Sequence, residues 1–262
     1  MISVVCVKVV PKSEEIRVDP DTMMLIREGV RSEINPPDMN ALEMALSAKD
    51  RYGGQVYIIS MGPPAFVPFL QAGVAMGADH IYLLSDFTLA GADTLATTYT
   101  LSKGIRKLGD VDLVFCGEES SDGATGQVPS GLSEWLNFAG LTLTTETALD
   151  IESGLARGRR EIGGGYQILE VPLPCVVSVK TACNEPRFMD YERKEWAFDR
   201  ERVTIWDAEQ IDADPDLTGV KGSPTVVSGL SQAPVRNRKK QFLEGSPAEI
   251  ADQIAEIILQ NS

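Results

Sequence analysis

Short apolar runs alternate with segments of helical periodicity along the first 180 residues. Runs rich in Val and Ile stand at 2–10, 55–61, 80–85, 111–117 and 174–180. They are apolar almost throughout, which is typical of parallel strands covered on both faces. Apolar residues at helical spacing occur between them, at 38–50, 66–79, 92–109 and 129–140. This alternation predicts an α/β fold with a doubly wound, mostly parallel sheet. We expect Asp38 to be the N-cap of the first helix and Gly77 to end the second.

The pattern changes after about residue 141. Alternating positions with turn residues over 141–173 predict an antiparallel excursion that returns to the strand at 174–180. Beyond Asn184 the periodicity fades until SPAEIADQIAEIIL, where Ser246 and Glu249 form a capping box before a final helix. The pattern therefore predicts one domain over 1–183 and a tail over 184–262 that packs on a partner as an arm.

Composition and charge exclude several classes of protein. The 262 residues carry a formal net charge of −14, which argues against nucleic acid or an anionic membrane as the main partner. No apolar run approaches the roughly 20 residues that span a bilayer, so membrane insertion is not expected. The N-terminal MISVVCVKVV is typical of a first strand and not of a signal peptide. The four widely spaced cysteines indicate reduced thiols, and we expect a cytoplasmic protein.

Polar and glycine-rich segments follow the predicted strands, at the sheet edge where α/β proteins bind ligands. They are VKVVPKS after the first strand, EINPPDMNA, SMGPP at 60–64, LAGADTLATT at 89–98 and SSDGATGQVPSG at 120–131. Each segment alone is compatible with an ordinary turn or helix cap. Neither a P-loop nor a dinucleotide-binding glycine motif occurs. Their convergence at one sheet edge, with several helix N-termini, nevertheless predicts a nucleotide pocket.

The sequence contains no evident catalytic group. The single histidine, His80, begins an apolar strand and is expected to be structural. Glu118, Glu119 and Asp122 suit Mg²⁺, but equally suit helix capping or a ribose, and no metal site is predicted. The chemistry is therefore expected to belong to a cofactor.

Several motifs together resemble one family over the full length of the chain. They are CVKVVP, INPPDMNALEMAL, ISMGPP with AGVAMGAD, DLVFCG, DGATGQV, REIGGGYQILEVPLPCVVSV and NEPRF. In these the chain resembles the small (beta) subunit of electron transfer flavoproteins. The resemblance implies an adenine-nucleotide alpha-hydrolase-like sheet over 1–183, and a docking loop and C-terminal arm over 184–262 that wraps the large (alpha) subunit.

Two groups exist within that family. One binds FAD at the nucleotide site and uses NADH to bifurcate electrons to ferredoxin and, through a large-subunit flavin, to a dehydrogenase. The other binds AMP and shuttles electrons from acyl-CoA dehydrogenases. GADTLATT, SMGPP and GSPTVV resemble the first group, so FAD is favoured and AMP is the alternative. A stand-alone adenine-nucleotide-binding regulator is a third hypothesis, which leaves the tail at 184–262 without a purpose.

The resemblance also assigns residues. The predicted cofactor-binding residues are Cys6, Val7, Lys8, Asn35, Pro36, Pro37, Asp38, Met61, Gly62, Asp93, Thr94, Thr97, Cys116, Asp122, Gly123, Ala124, Thr125, Gly126, Gln127 and Val128. The predicted docking residues for the dehydrogenase are Asn184, Glu185, Pro186, Arg187 and Tyr191. GEESSDGATGQV departs from the GRQAIDGDTAQVG-like loop of many relatives, and MDYERKEWAFDRERV replaces their lysine-rich segment. Tyr191 falls where relatives place a leucine anchor.

Overall fold

The computed structural model describes residues 1–12, 17–18, 25–26, 31–198, 202–226 and 242–260. The chain divides into two compact units, Met1–Gly229 and Leu230–Ser262. A nine-stranded sheet in the first unit has the order β11-β10-β9-β12-β8-β1-β6-β7-β13. Its strands are β1 (Ile2–Cys6), β6 (Gln55–Met61), β7 (His80–Leu84), β8 (Leu113–Gly117), β9 (Ala139–Asp150), β10 (Leu155–Ile162), β11 (Gly165–Pro172), β12 (Cys175–Val179) and β13 (Val203–Trp206).

Two short strand pairs lie outside this sheet. They are β2 (Val9–Pro11) with β5 (Ser32–Ile34), and β3 (Arg17–Val18) with β4 (Leu25–Ile26), and both pairs are antiparallel.

Most neighbouring strands of the large sheet are parallel, as predicted. The pairs β1–β6, β1–β8, β6–β7, β7–β13, β8–β12 and β9–β12 all run in the same direction. From β1 the chain proceeds to β6 and β7 on one side, and then crosses to β8 on the other. The strand order therefore reverses between β1 and β8, and their carboxyl ends border the crevice in which such sheets bind ligands.

Helices cover both faces of the sheet in the first unit, which confirms the doubly wound architecture. Apolar side chains of α1 (Pro36–Tyr52) and α2 (Val67–Met76) pack with Val5, Ile58 and Phe115 in one buried cluster. Those of α3 (Thr94–Lys107) and α4 (Val128–Leu136) pack with Val4 and Ile59 in a second. Successive residues of each strand point to opposite faces, so the continuously apolar runs supply both cores.

The segment after α4 forms a long antiparallel excursion. Strands β9, β10 and β11 pair antiparallel with one another and extend the sheet beyond β12. The edge strand β11 is mostly exposed, and its Tyr166 and Ile168 are 59% and 61% accessible.

Residues 184–226 belong to the same compact unit as the sheet. Helix α5 (Tyr191–Ala197) begins at Tyr191, the last of the predicted docking residues, and β13 adds a parallel edge strand beside β7. Neither element was expected from the fading periodicity. The functional division at residue 184 stays a prediction, and residues 199–201, 227–241 and 261–262 of the predicted arm lie outside the described residues.

Helix ends follow the sequence signals with one exception. Gly77 ends α2 with a φ of 143°, and in α6 (Pro247–Gln260) the capping box is confirmed, since the Ser246 N–H donates to Glu249 Oε2 at 2.8 Å. The prediction for Asp38 is wrong. Asn35 is the N-cap of α1, and Asp38 lies inside the first turn with its carboxylate directed to the strand ends.

Candidate functional site

A buried carboxylate bridges the two strand ends at the point where the strand order reverses. Asp38 is 7% exposed, and its Oδ2 accepts a hydrogen bond from the Lys8 N–H at 2.8 Å. Its Oδ1 accepts from the Gly117 N–H at 3.3 Å. Lys8 follows β1 and Gly117 ends β8. A β-carbon at residue 117 would overlap Oδ1 of Asp38, so only glycine permits this close approach.

Burial changes the protonation of this carboxylate. Desolvation raises the pKa of Asp38 from 3.8 to about 7, although hydrogen bonds from the backbone of Lys8, from Asn35 and from the backbone of Gly117 oppose the shift. The carboxyl group therefore titrates close to neutral pH.

Asn35 holds the chain that follows β8. Its side chain is buried, with 1% exposed, and its Nδ2 donates to the Glu119 carbonyl at 2.9 Å. Its Oδ1 accepts from the Ser121 N–H at 3.0 Å. The Asn35 N–H donates to the Lys8 carbonyl at 2.9 Å. Asn35 thus joins the start of α1 to the segment after β1 through its backbone N–H, and to the loop at 118–127 through its side-chain amide.

The Lys8 side chain reaches the same loop. Its Nζ lies 2.6 Å from Asp122 Oδ1 and 3.4 Å from Ser120 Oγ. Burial raises the pKa of Asp122, but the hydrogen bond and positive charge of Lys8 lower it by more, so it falls below the usual value. Asp122 therefore stays ionised and neutralises Lys8.

The loop then turns toward the N-terminus of α4 in a left-handed conformation. Ala124 and Gly126 have φ angles of 46° and 62°. Within the part of the chain that the structure describes, the backbone N–H groups of Thr125, Gly126 and Gln127 have no protein hydrogen-bond partner. Donor groups in such a turn, at the start of a helix, suit the oxygens of a phosphate. The donor set thus fits the phosphate of a nucleotide. In the same stretch Gly123 is exposed, and Val128 is half-buried against the α3–α4 cluster.

Other predicted site residues lie at or near the carboxyl ends of β1, β6 and β8. Cys6 and Cys116 are buried at the ends of adjacent strands, on the α3–α4 face of the sheet, and a hydrogen bond with Cys6 and burial raise the pKa of the Cys116 thiol. Met61, at the end of β6, packs on the same cluster. The remaining predicted residues at these strand and helix ends have backbone roles. The Val7 N–H donates to the Ile59 carbonyl, and the Gly62 N–H donates to the Leu84 carbonyl. Pro36 and Pro37 begin α1.

The predicted extension toward α3 is in part occupied by the protein itself. Asp93 caps the helix, since its Oδ1 accepts from the Ala96 N–H at 3.1 Å. Its Oδ2 accepts from both the N–H and the hydroxyl of Thr225, at 3.0 and 2.6 Å. Thr94 Oγ1 lies 3.3 Å from Thr125 Oγ1 and so meets the loop directly. Thr97 is half-buried one turn further along the helix.

The predicted docking residues divide into anchors and exposed groups. Asn184 is bound to α1, because the Asn40 Nδ2 donates to its carbonyl at 2.8 Å and its own Nδ2 donates to the Asn40 carbonyl at 3.0 Å. The Arg187 guanidinium makes two hydrogen bonds to Glu43, at 2.8 and 2.9 Å, and one to Asp50, and the Arg187 backbone N–H also donates to Glu43 Oε2 at 2.9 Å. Glu185 and Pro186 are exposed between the two anchors.

The side chains presented outward come next in the chain. Phe188 is 96% exposed and Tyr191 is 83% exposed, and Met189 is also exposed between them. Sequence reasoning identified Tyr191 but missed Phe188 and Met189, whose signal was two large apolar residues in an otherwise charged segment. It also missed Gly117, Ser120, Ser223 and Thr225, whose roles depend on contacts between distant segments.

The described residues contain no group of three or more His, Cys, Asp or Glu side chains that could hold a metal ion. His80 Nε2 lies 2.8 Å from Thr204 Oγ1, and burial lowers the pKa of the ring. It links β7 to β13, in agreement with a structural role. No described helix is long and apolar enough to cross a membrane.

Comparison with known proteins identifies one family. The sequence pattern of the electron transfer flavoprotein domain matches residues 22–210. The chain is 43% identical to the electron transfer flavoprotein subunit beta of Clostridium acetobutylicum, over 90% of this chain and 89% of that protein.

Two further relatives have more specific names. The chain is 39% identical to the caffeyl-CoA reductase-Etf complex subunit CarD of Acetobacterium woodii, over 95% of each chain. It is also 39% identical to the protein FixA of Azotobacter vinelandii, over 95% of this chain and 90% of that protein.

Proposed function

The chain belongs to the electron transfer flavoprotein family as a small (beta) subunit, and from this premise we propose that it binds FAD between the ends of β1 and β8 for electron bifurcation. The observation that carries the proposal is the crevice itself. Lys8, Asn35 and Asp38 hold a loop that continues into a left-handed turn at 124–127, directly before α4, where the described structure gives the backbone N–H groups of 125–127 no protein partner. Such a turn is suited to the pyrophosphate of a dinucleotide.

The chemistry that FAD would supply when bound is the acceptance of a hydride from NADH. The two electrons of the hydride would then be divided between ferredoxin and, through a large-subunit flavin, an acyl-CoA or related dehydrogenase. The protein's own residues bind and orient. The turn at 124–127 holds phosphate oxygens, and the hydroxyls of Thr94 and Thr97 extend the site along α3. No residue of this chain is assigned a proton-transfer role, because Asp38 is buried against backbone N–H groups and Asp122 is paired with Lys8.

The proposal includes three protein partners. The large (alpha) subunit binds the C-terminal arm, whose helix α6 exposes Ile254 and Leu259. A dehydrogenase docks on the exposed residues that follow Arg187. Ferredoxin receives the second electron. Free thiols in the described part of the chain suit a reducing compartment, so we place the complex in the cytoplasm.

AMP is the alternative nucleotide, and one contact favours it. The Asp93 carboxylate is already engaged by Ala96 and Thr225, so it has little capacity left for the flavin end of a larger ligand. The rest of the site suits either molecule, since both contain an adenosine phosphate. With AMP, the chain would be a non-bifurcating subunit that supports electron shuttling from acyl-CoA dehydrogenases.

The nucleotide content of the purified heterodimer tests the proposal. The chain is co-expressed with its large subunit, purified, and heated to release bound nucleotides, which are then separated and quantified. We expect two FAD and no AMP per heterodimer. One FAD with one AMP per heterodimer would instead support the non-bifurcating subunit that binds AMP. If the chain does not co-purify with a large subunit, only the hypothesis of a stand-alone nucleotide-binding regulator is left.

A further inference from the structure

Three side chains from one side of the crevice all contact a single short segment. Lys8 follows β1, and Asn35 and Asp38 lie at the start of α1. Their partners fall between residues 117 and 122, directly before the turn that suits phosphate. Sequence reasoning assigned these three residues to the nucleotide itself.

The polar atoms of these side chains are already used within the protein. Both Asp38 oxygens accept backbone N–H groups, and both polar atoms of the Asn35 amide are bound to the backbone of Glu119 and Ser121. Since Asn35 and Asp38 are 1% and 7% exposed, a ligand reaches them only by displacing protein.

Lys8 is different because its ammonium group is partly exposed, with 47% of the side chain accessible. A lysine beside a phosphate site is usually taken as the counter-ion. Here Asp122 lies 2.6 Å away and carries the opposite charge, so the pair is neutral before any ligand arrives. A phosphate that recruited Lys8 would have to compete with that carboxylate.

We propose that Lys8, Asn35 and Asp38 are positioning residues that clamp residues 117–122, and that they leave the phosphate to the backbone N–H groups of residues 125–127. This inference rests on the proposed function, because it concerns the same nucleotide site. The clamp orders the loop when the protein folds, so nucleotide binding does not include the entropic cost of ordering the loop.

The clamp and a counter-ion role for Lys8 predict opposite effects of one substitution. Asp122→Asn removes the charge that anchors Lys8 and keeps the shape of the side chain. If Lys8 clamps the loop through Asp122, this change loosens the loop and weakens nucleotide binding. If Lys8 is the counter-ion of the phosphate, the same change frees it and strengthens binding.

The experiment is a double-mutant cycle on the full-length chain in complex with its large subunit. Bound nucleotide is removed, and AMP, the part that both candidate nucleotides share, is titrated by calorimetry. We expect Lys8→Met and Asp122→Asn each to weaken AMP binding about tenfold, in the range measured for coupled neighbours. The double variant should bind no more weakly than either single one. The exchanged pair, Lys8→Asp with Asp122→Lys, should recover most of the affinity.

Two further variants separate the clamp from a general loss of stability. Lys103→Met removes a comparable lysine, whose Nζ lies 3.1 Å from Asp212, and should leave AMP binding unchanged. Asn35→Asp keeps the size of the side chain but loses the donor to the Glu119 carbonyl, and should weaken AMP binding about tenfold.

The outcomes distinguish failure of the clamp from failure of the proposed function. Tighter or unchanged AMP binding by Asp122→Asn, or a full additional loss when Lys8→Met is added to it, would overturn the clamp while the nucleotide site stands. If the wild-type complex binds neither AMP nor FAD, the proposed function itself fails. Recovery by the exchanged pair supports the clamp when Asp122→Lys alone binds AMP more weakly than the wild type, because a counter-ion at residue 122 would strengthen binding without the aspartate at residue 8.

Discussion

Asp38 is the residue whose environment differs most from its appearance in the sequence. In the motif NPPD it looks like a helix cap, but the fold turns its carboxylate inward to receive the N–H groups of Lys8 and Gly117. Burial raises its pKa to about 7, so its charge changes within the physiological range. A carboxyl group with a raised pKa favours the folded state when protonated and opposes it when ionised.

The pH dependence of stability follows from this shift. The contribution of Asp38 is fully present below its unfolded pKa of 3.8 and is lost as the pH rises through about 7. Between pH 5.5 and 8.5 we expect the free energy of unfolding to fall by about 2 kcal/mol through this group. Asp38→Asn should abolish that part of the slope, which urea unfolding at several pH values would measure.

The measured quantity is the difference in the pH dependence of unfolding free energy between the wild type and Asp38→Asn. His80 has a lowered pKa and so contributes a slope of opposite sign, which is common to wild type and variant and cancels. Identical pH profiles for the two proteins would show that Asp38 does not titrate in this range.

At the scale of elements, helix α1 connects the proposed nucleotide site to the predicted docking residues. Its first turn supplies Asp38 to the strand ends, and Asn40 and Glu43 on the following turns anchor Asn184 and Arg187. Burial raises the pKa of Glu43, but hydrogen bonds from Arg187 lower it by more, so the pair stays ionised. The exposed Phe188 therefore follows a backbone segment that these contacts anchor to α1.

The close approach of α1 to β8 yields a prediction at this scale. In Gly117→Ala the new β-carbon would overlap Asp38 Oδ1 and lie 2.7 Å from Cβ of Pro37. We expect a loss of about 1–3 kcal/mol in the free energy of unfolding, the usual range for overpacking. AMP binding should weaken as well, since the helix start and the loop move apart. Calorimetry and chemical unfolding would measure the two effects.

Gly163→Ala is the matched control for this substitution. Gly163 lies in the turn between β10 and β11, and nothing stands within 4 Å of the position of its added β-carbon. It should change stability by no more than about 0.5 kcal/mol. Equal effects of the two substitutions would contradict the packing argument.

At the scale of the whole molecule, the two compact units differ in whether their apolar side chains are buried. The first unit encloses two cores on either side of its sheet. In the second, none of the residues of α6 is buried, and Ile254 and Ile258, four residues apart on one face of the helix, are 45% and 61% exposed. An apolar helix face of this kind is typical of an element completed by a partner, which in the proposed function is the large subunit.

A charge placed on that face should disrupt the heterodimer. Ile254→Asp puts a carboxylate where an apolar contact is proposed, and we expect association with the large subunit to weaken about a hundredfold. Co-elution in size-exclusion chromatography, followed by a binding titration, measures it. Asp252→Lys changes charge at an exposed polar position of the same helix and should associate normally. Normal association of Ile254→Asp would exclude α6 from the interface.

The sequence by itself determined the layered architecture. Continuous apolar runs specify strands buried on both faces, and the helical stripes between them specify the covering layers, because each pattern depends only on local periodicity. The motifs also predicted which strand ends bind a nucleotide, and the residues 122–128 that they assign to the site follow one of these strands, β8; this assignment stays a prediction.

Only the tertiary structure decided what individual residues do there. The sequence does not show that Asp38 receives Lys8 and Gly117, that Asp122 neutralises Lys8, or that Thr225 engages Asp93, since these partners lie 30 to 132 positions apart. Strand β13 was missed for the same reason. Its four residues carry too little periodicity to predict a strand, and pairing with β7 supplies the missing stabilisation.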